Sequence, residues 1–527
     1  MKITTIISQI SEEEKTPLVL TLIESLQLQS EEIQKLKDEI AILKKQNKRP
    51  KIKPSNLEGK KRKNKKHKKG KRPGSEKRCK TKELDIHETI PIAPDVIPKG
   101  SILKGYNDFV VQDIVFEPRN IKYRIERWQG PDGEYITGKL PEDVQGHFGQ
   151  KLTCFILFQY YHSIVTQPLI YDQLHEIGID ISKGQISKII IEGKEIFHQE
   201  KEEILKVGLE VSNYINVDDT GSRHNGKNGY CTHIGNECFA YFESSERKNR
   251  INFLKILRSC HTDYVVNIDA IAYMRENKLP NKVLCKISDN LNTVLENDQE
   301  WTVLLNELNI TKSRHIQIAT EGALVGSLME HGFNTELVIM SDDAGQFNVF
   351  LHTLCWIHAE RNINKLVGFN DEQRKDLEAK KKEIWDFYDA LKQYKENPTV
   401  AEKNRLDNWF DDIFTIKTDF ATLNKGLKQI YNNKSELLLV LRRPDIPLHN
   451  NLSENDIREY VKRRKISGST RSPTGKKCRD TFTSLKKTCR KLGISFWNYI
   501  MDRIKREENK IPYLPDLVRL RAEEIFE

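Results

Sequence analysis

The sequence predicts an α/β protein built on a sheet whose strands end in acidic residues. Three observations predict it. Tyr214-Ile215-Asn216-Val217 is a short, mostly apolar β-branched run leading into Asp218-Asp219-Thr220-Gly221. Leu337-Val338-Ile339-Met340 repeats the pattern and leads into Ser341-Asp342-Asp343-Ala344-Gly345. Between them, Tyr230 to Ile234 and Phe239 to Phe242 read as further strands, and the turn residues Asn225-Gly226 and Gly235-Asn236 complete an antiparallel three-strand meander. Two buried strands that each deliver an aspartate hold two carboxylates side by side. Such a pair repels itself unless a cation lies between, and a hard divalent ion with oxygen ligands serves that purpose.

A chain of 527 residues is too long for one core and implies several domains. No apolar run reaches the roughly eighteen residues of a membrane span, and the acidic, amphipathic start does not read as a signal peptide. Nine scattered cysteines without a CxxC pair speak against a disulfide framework or a regular zinc ribbon, so a cytoplasmic location is expected. The net charge of +10 is uneven: between Lys48 and Lys80 there are seventeen Lys or Arg against two Glu, which leaves the remainder acidic.

Taken in order, residues 1–47 carry a heptad pattern, with Val19, Leu26, Ile33, Ile40 and Asn47 in one register and Leu22, Leu36 and Leu43 in the other. This predicts a coiled-coil dimerisation helix; one amphipathic helix packed on its own protein has the same pattern. Residues 48–83 form a basic linker that cannot bury a core. Lys60, Lys61, Arg62, Lys63, Lys65 and Lys66 are expected to contact DNA phosphates without reading sequence. Residues 84–140, with Phe109 to Phe116, Lys122 to Trp128 and a turn at Gly130-Pro131-Asp132-Gly133, predict a small β subdomain.

In 141–205, Thr166-Gln167-Pro168 starts a helix, Gly178 supplies a turn and Ser182 caps a second helix. The spacing suits a DNA-binding helix-turn-helix presenting Lys183, Gln185 and Lys188, although ordinary helical hairpins share it. Residues 206–358 then hold the two acidic strands. The order of strands and helices there is that of a ribonuclease-H-like sheet. A charged helical insertion follows over 359–445, and 446–527 return to the core.

Asn450-Asn451-Leu452-Ser453-Glu454 opens another helix, with Asn451 or Ser453 able to cap it. Glu454, Ile457 and Val461 fall on one face, where a glutamate is costly unless paired. A metal shared with the two aspartates satisfies it; so does a solvated helix start. Arg458, Arg463 and Arg464 follow, suited to holding a phosphate backbone.

At these residues the chain resembles insertion-sequence transposases of the IS sixty-six family, of the type with an Asp-Asp-Glu (DDE) site. The resemblance rests on Val217-Asp218-Asp219-Thr220, Ser341 to Phe347, Cys355-Trp356-Ile357-His358, and Asn450-Asn451 through Glu454 to Arg458. It implies Asp218 and Glu454 as first and third acids. The family's second motif, aligned on Ala344-Gly345, places its acid at Ser341, so the adjacent Asp342 is taken as second acid with Asp343 as the alternative. The resemblance further implies that the three acids are both catalytic residues and ligands to two Mg²⁺ ions, with Mn²⁺ as substitute. The ions would support cleavage at the ends of a mobile element and joining of the freed 3′-hydroxyls to target DNA. Implied partners are element-end and target DNA, a second copy of the chain and accessory proteins of the same element. The pair Cys355 and His358 is expected to brace the sheet against the inserted helices. The family's zinc-ribbon cysteines are missing near residues 98 to 130, so no zinc is expected, and residues 261–309 have no assigned role. The rival reading is a DNA-binding protein with this architecture and no catalytic activity alone.

Overall fold

The computed structural model describes residues 86–526 apart from 100, 104, 105, 107, 108, 142, 143, 145, 369 and 506–509, together with Ser25 and Gln29. The latter two are helical and exposed. The rest of the predicted coiled coil and the basic linker, with Lys60, Lys61, Arg62, Lys63, Lys65 and Lys66, lies outside the described residues.

Residues 58–119 form a unit of their own. Its described part contains neither helix nor strand, and Phe109, Val111 and Val115 are exposed. The strand expected at 109–116 is therefore not formed. β-branched residues favour extended backbone, but a strand persists only where a partner edge takes up its hydrogen bonds. In the larger unit the second expected strand shortens to β1 (Arg127–Gln129), which pairs antiparallel with β2 (Tyr135–Thr137) across the predicted glycine turn.

The helical region begins with α1 (Gln150–Leu157), extended by a π-helical turn over Phe158–His162. The hairpin follows as read from its punctuation: α2 (Gln167–Glu176), a turn at Gly178 with φ +82°, and α3 (Lys183–Ile191). Ser182 caps α3, its hydroxyl accepting from the Gln185 N–H at 3.1 Å. Ile170, Leu174, Ile186 and Ile190 are buried in the main core, and α4 (Glu195–Val211) leads on to the sheet.

β3 (Tyr214–His224), β4 (Lys227–Gly235) and β5 (Ala240–Ser245) form the meander. The turn between β3 and β4 has φ +49° at Asn225 and +77° at Gly226, the positive pair that a two-residue hairpin turn needs. Next come α5 (Arg250–Leu257), β6 (Tyr264–Val266), α6 (Ile268–Glu276), α7 (Asn281–Ser288), β7 (Thr293–Leu295), α8 (Asp298–Glu307) and α9 (Ser313–Glu330). Residues 261–309, unassigned by sequence, thus hold a small antiparallel β6–β7 pair with helices around it. β8 (Val338–Ser341) and β9 (Leu351–Leu354) complete a five-stranded mixed sheet in the order β5-β4-β3-β8-β9. β3, β8 and β9 run parallel.

Alternation along the central strands divides two cores. Ile215, Val217 and Ile339 pack into the core shared with the N-terminal and C-terminal helices. Tyr214, Val338 and Met340 pack into the core of the helical insertion. With both faces covered, these strands read as nearly continuous apolar runs, as buried parallel strands do. The insertion comprises α10 (Trp356–Asn364), α11 (Asp371–Glu396), α12 (Val400–Thr415) and α13 (Ala421–Asn432), matching the charged helical stretch expected there. Among the described residues no helix is long and apolar enough to cross a membrane.

The chain closes with α14 (Asn451–Ser467), α15 (Pro473–Lys491), α16 (Phe496–Lys505) and α17 (Leu514–Phe526). α15 is polar in composition yet largely buried, and its last three lysines meet acids of α14. Lys487 lies 3.0 Å from Glu459 and 3.3 Å from Asp456, Lys491 lies 2.8 Å from Asp456, and Lys486 pairs with Glu459. Buried charges of one sign are tolerable only against the other, so this network fixes how α14 lies on the protein.

Burial alone would raise the Glu459 carboxyl, but Lys486 and Lys487 hold it down at about 2, below its ordinary 4.5. A carboxylate depressed by folding contributes stability that is complete above pH 4.5 and is lost as pH falls toward 2. Glu459→Gln should therefore cost on the order of 3 kcal/mol at neutral pH. The gap in thermal unfolding midpoint between variant and wild type should close as pH drops through that window. An equal gap at pH 7 and pH 3 would mean that the pair contributes nothing as an ion pair.

Candidate functional site

The register of the two acidic strands brings their aspartates together. β3 and β8 pair with Tyr214 opposite Val338 and Asn216 opposite Met340. Two residues further on, just past the last paired position, stand Asp218 and Asp342. Successive side chains alternate between faces, so residues two beyond a matched pair share one face. Both aspartates are half-buried. The Asp218 carboxyl is pushed up to about 7 by burial and then by the negative charge of Asp342, with a smaller push from Glu454. The Asp219 N–H, donating to Asp218 Oδ1 at 2.7 Å, opposes the shift.

Asp343 is placed differently. It is exposed, and the amide of Gln429 reaches its carboxylate at 3.5 Å. Asp342 Oδ1 instead accepts from the Ala344 N–H at 3.2 Å, closing the loop that follows β8. One detail of the sequence reading needs correction. β3 does not end at its acidic residues but continues to His224, because β4 pairs with it along that whole length. Asp218 therefore lies within a strand, at the point where the parallel neighbour stops.

Glu454 arrives from α14, one turn from the helix start. No expected side chain caps this helix. Asn450 occupies the cap position without a capping bond, and its amide is used elsewhere. Asn450 Nδ2 donates to the Val217 carbonyl at 2.7 Å, Asn450 Oδ1 accepts from Asn216 Nδ2 at 2.9 Å, and the Asn450 N–H donates to Cys355 Sγ at 3.2 Å. Ser453 Oγ lies 2.6 Å from His233 Nδ1 on β4. The helix carrying the third acid is thus tied to the strand carrying the first.

The Cys355–His358 pair divides its work. Cys355 is buried against Asn450, and Trp356 donates from Nε1 to the Leu437 carbonyl at 2.9 Å while packing on Phe387, Phe410 and Phe414. That part braces the sheet against the insertion. His358 faces the acids instead, its Nε2 3.6 Å from Glu454. Burial lowers the His358 imidazole and Glu454 opposes that. Arg361, one turn further along α10, donates to Glu454 Oε1 at 3.2 Å, and Arg458 lies 3.8 Å from the same carboxylate.

Sequence reasoning missed Arg361, for which no signal stood out, and the role of Asp219, whose place beside Asp218 was visible. The Asp219 carboxylate accepts from Thr232 Oγ1 at 2.5 Å and from Gln346 Nε2 at 2.8 Å, joining β3 to β4 and to the loop after Asp342.

Of the predicted DNA contacts, Lys183, Lys188 and Arg458 are exposed and Gln185 is half-buried. Lys183 rests its ammonium 4.7 Å from the Tyr171 ring. One prediction, Arg463, is corrected, while Arg464 is half-exposed. Arg463 is 5% exposed, its guanidinium stacked on Tyr160 and Tyr161 at 4.5 and 4.9 Å, and Arg464 donates to the Gly221 carbonyl. Periodicity along a helix of this composition does not say which cations face inward; the two tyrosines and a carbonyl decide it.

Asp218, Asp342 and Glu454 offer only carboxylate oxygens, the donor set of a hard divalent cation such as Mg²⁺. Burial first and then the repulsion of Asp342 raise Asp218, and both are conditions that a bound cation relieves. Their chemistry fits the group, but their ligand atoms do not all lie within 4.8 Å of one another as they stand. Glu454 spends its charge on Arg361, and closing the acids around an ion requires it to exchange that partner.

Residues 309–478 match the model described as Transposase IS66 family. That span runs from the end of α8 through β8, Cys355–His358 and Glu454 into α15, and leaves Asp218 outside. The chain is also similar to an uncharacterized protein, y4jO, of Sinorhizobium fredii (strain NBRC 101917 / NGR234). The two are 39% identical over 321 residues, covering 60% of this chain and 100% of that protein. With Asp342, the Cys355–His358 pair and the helix of Glu454 inside the matched span, and a relative matched over its whole length, the chain belongs to the IS66 family of transposases.

Proposed function

We propose that this protein is a DDE transposase that cleaves the ends of a mobile DNA element and joins the 3′-hydroxyls to target DNA. The mixed sheet is read as a ribonuclease-H-like core, and Asp218, Asp342 and Glu454 as its catalytic acids. The observation that carries the reading is the meeting of three separate chain segments at one place: Asp218 and Asp342 in register, and Glu454 on a helix that Asn450 anchors to Val217. Mg²⁺, or Mn²⁺ in its place, would be held by the three acids and would supply Lewis-acid polarisation of the scissile phosphate and activation of the attacking hydroxyl.

The protein's own residues do the rest. Asn450, Asp219 and Gln346 hold the acids' backbone in place, which matters because small misplacements at a phosphoryl-transfer site are expensive. Arg361 and Arg458, released from Glu454, face the phosphate as cations. In the first step water attacks phosphorus and the element's 3′-oxygen leaves as a hydroxyl. In the second that hydroxyl attacks a target phosphodiester and a target 3′-oxygen leaves, so one P–O bond forms for each broken. The hairpin of α2 and α3 is read as a helix-turn-helix with Lys183, Gln185 and Lys188 toward DNA. Two ends must be held together, so the heptad segment near the N-terminus is read as the dimer contact and the basic linker as a phosphate tether.

The test is strand transfer by purified protein on labelled element-end DNA, with Mg²⁺ or with EDTA. Joining should require the metal and fall to background in Asp218→Asn, Asp342→Asn and Glu454→Gln while end binding persists, and Asp343→Asn should retain it. Loss in Asp343→Asn with retention in Asp342→Asn would reassign the second acid. End binding without joining in the wild type would leave a DNA-binding module.

Asn450→Ala should lower joining about 100-fold through displacement of Glu454, with end binding unchanged. Full activity would show that the anchor is dispensable.

A carboxyl raised by folding from 3.8 to about 7 makes the metal-free protein less stable as pH rises through that interval, because the folded state holds the proton longer. Asp218→Asn should therefore unfold at a higher temperature than wild type at pH 8 in EDTA, with the difference vanishing near pH 4. A less stable variant at pH 8 would mean that burial and the neighbouring acids do not raise the Asp218 carboxyl.

A further inference from the structure

The segment between the first two acids contains a cluster unused by the reading above. His261, Asp263 and His331 each offer one ligand atom, and these atoms all lie within 4.8 Å of one another. Among the described residues this is the grouping of His, Cys, Asp or Glu close enough for an ion. The His331 Nε2 lies 3.0 and 3.1 Å from the two oxygens of Asp263. The His261 and His331 rings stack with centroids 3.5 Å apart.

From these positions we infer a transition-metal site of the His-Asp-His type, suited to Zn²⁺, that staples the start of β6 to the end of α9. Two imidazole nitrogens and one carboxylate are a recurrent three-residue set for zinc, with water completing the tetrahedron. The ligand atoms already lie within 4.8 Å of one another, and turning the two stacked rings out of parallel lets their in-plane lone pairs converge on one ion. Mg²⁺ prefers oxygen and is a poor match.

The surroundings hold the ligands as a built site requires. Ser327 Oγ donates to Asp263 Oδ1 at 3.0 Å, fixing the carboxylate from behind. Arg258 donates to the Asp263 backbone carbonyl and lies over the Tyr264 ring, and its charge still acts on His261. The two elements leave no slack: a Cβ on Gly326 would sit 2.2 Å from the Val265 carbonyl, and Asn267 Nδ2 donates to the Gly326 carbonyl at 3.0 Å. Ligands on rigid, docked elements lose little entropy on binding. This site shares no residue with the absent zinc-ribbon cysteines and none with the three acids. Its place is structural: α9 ends at Glu330 and β8, with Asp342 beyond it, begins at Val338, so an ion here stiffens the approach to the second acid.

The experiment titrates Co²⁺ and then Zn²⁺ into the full, EDTA-stripped protein, reading visible d–d absorption and calorimetric stoichiometry. It compares wild type with His261→Ala, His331→Ala and Asp263→Asn, each first checked for an unchanged unfolding temperature in EDTA. The expected result is one equivalent of ion in wild type that all three variants lose, that Mg²⁺ does not displace, and that Ser327→Ala binds about tenfold more weakly. Equal stoichiometry and affinity in wild type and the ligand variants would overturn the site, as would no binding in wild type. Glu454→Gln, which should bind the ion normally, separates this site from the catalytic acids.

Discussion

The side-chain amide of Asn450 is the constraint on which the arrangement depends. It bonds the Val217 carbonyl and the Asn216 side chain, both buried, while the backbone N–H of the same residue reaches the Cys355 thiol. Strand, insertion and third-acid helix therefore meet on one residue. An amide buried among apolar neighbours is costly unless its donors and acceptor are satisfied, and that satisfaction fixes the geometry. Displacing Asn450 breaks all three of these bonds at once, so the junction has one good arrangement.

Around that junction the protein arranges charge in two opposed ways. On the outer side of α14, Asp456 and Glu459 are neutralised by the lysines of α15, and the balance is internal and permanent. On the inner side, Asp218 and Asp342 have no such partner, and Glu454 has Arg361, His358 and Arg458 at its edge. The first arrangement spends buried charge on holding a helix. The second leaves charge unbalanced, and the proposed metal and phosphate are what would complete it. Unbalanced carboxylates weaken the fold, and their presence at the meeting point of otherwise satisfied elements is what distinguishes a site from a structural network.

Much of this was legible in the residues. The meander, Ser182 as a cap, the Gly178 turn and the charged helical insertion followed from periodicity and turn chemistry, because these are local properties. Asp218, Asp342 and Glu454 were singled out by type and position, and the family resemblance joined them into one site. Other features were not legible. Asn451 and Ser453 looked like helix caps, but Ser453 was taken by His233 and the cap position by Asn450. Phe109 to Phe116 has the composition of a strand, but among the described residues it forms none. Arg463 has the composition of a phosphate contact and is stacked between tyrosines. In each case a propensity was read correctly and a partner distant in sequence decided the outcome.

The sequence by itself determined where strands and helices could form and which residue types could carry the chemistry, since backbone preference and apolar period are written within a few residues of each position. Only the tertiary structure decided that Asp342 rather than Asp343 stands beside Asp218, because that depends on the register of two strands more than a hundred residues apart. It also decided that His358 and Arg361 face Glu454, and that His261, Asp263 and His331 come together. Contacts of that separation are set by how cores close on both faces of the sheet, and no local pattern records them.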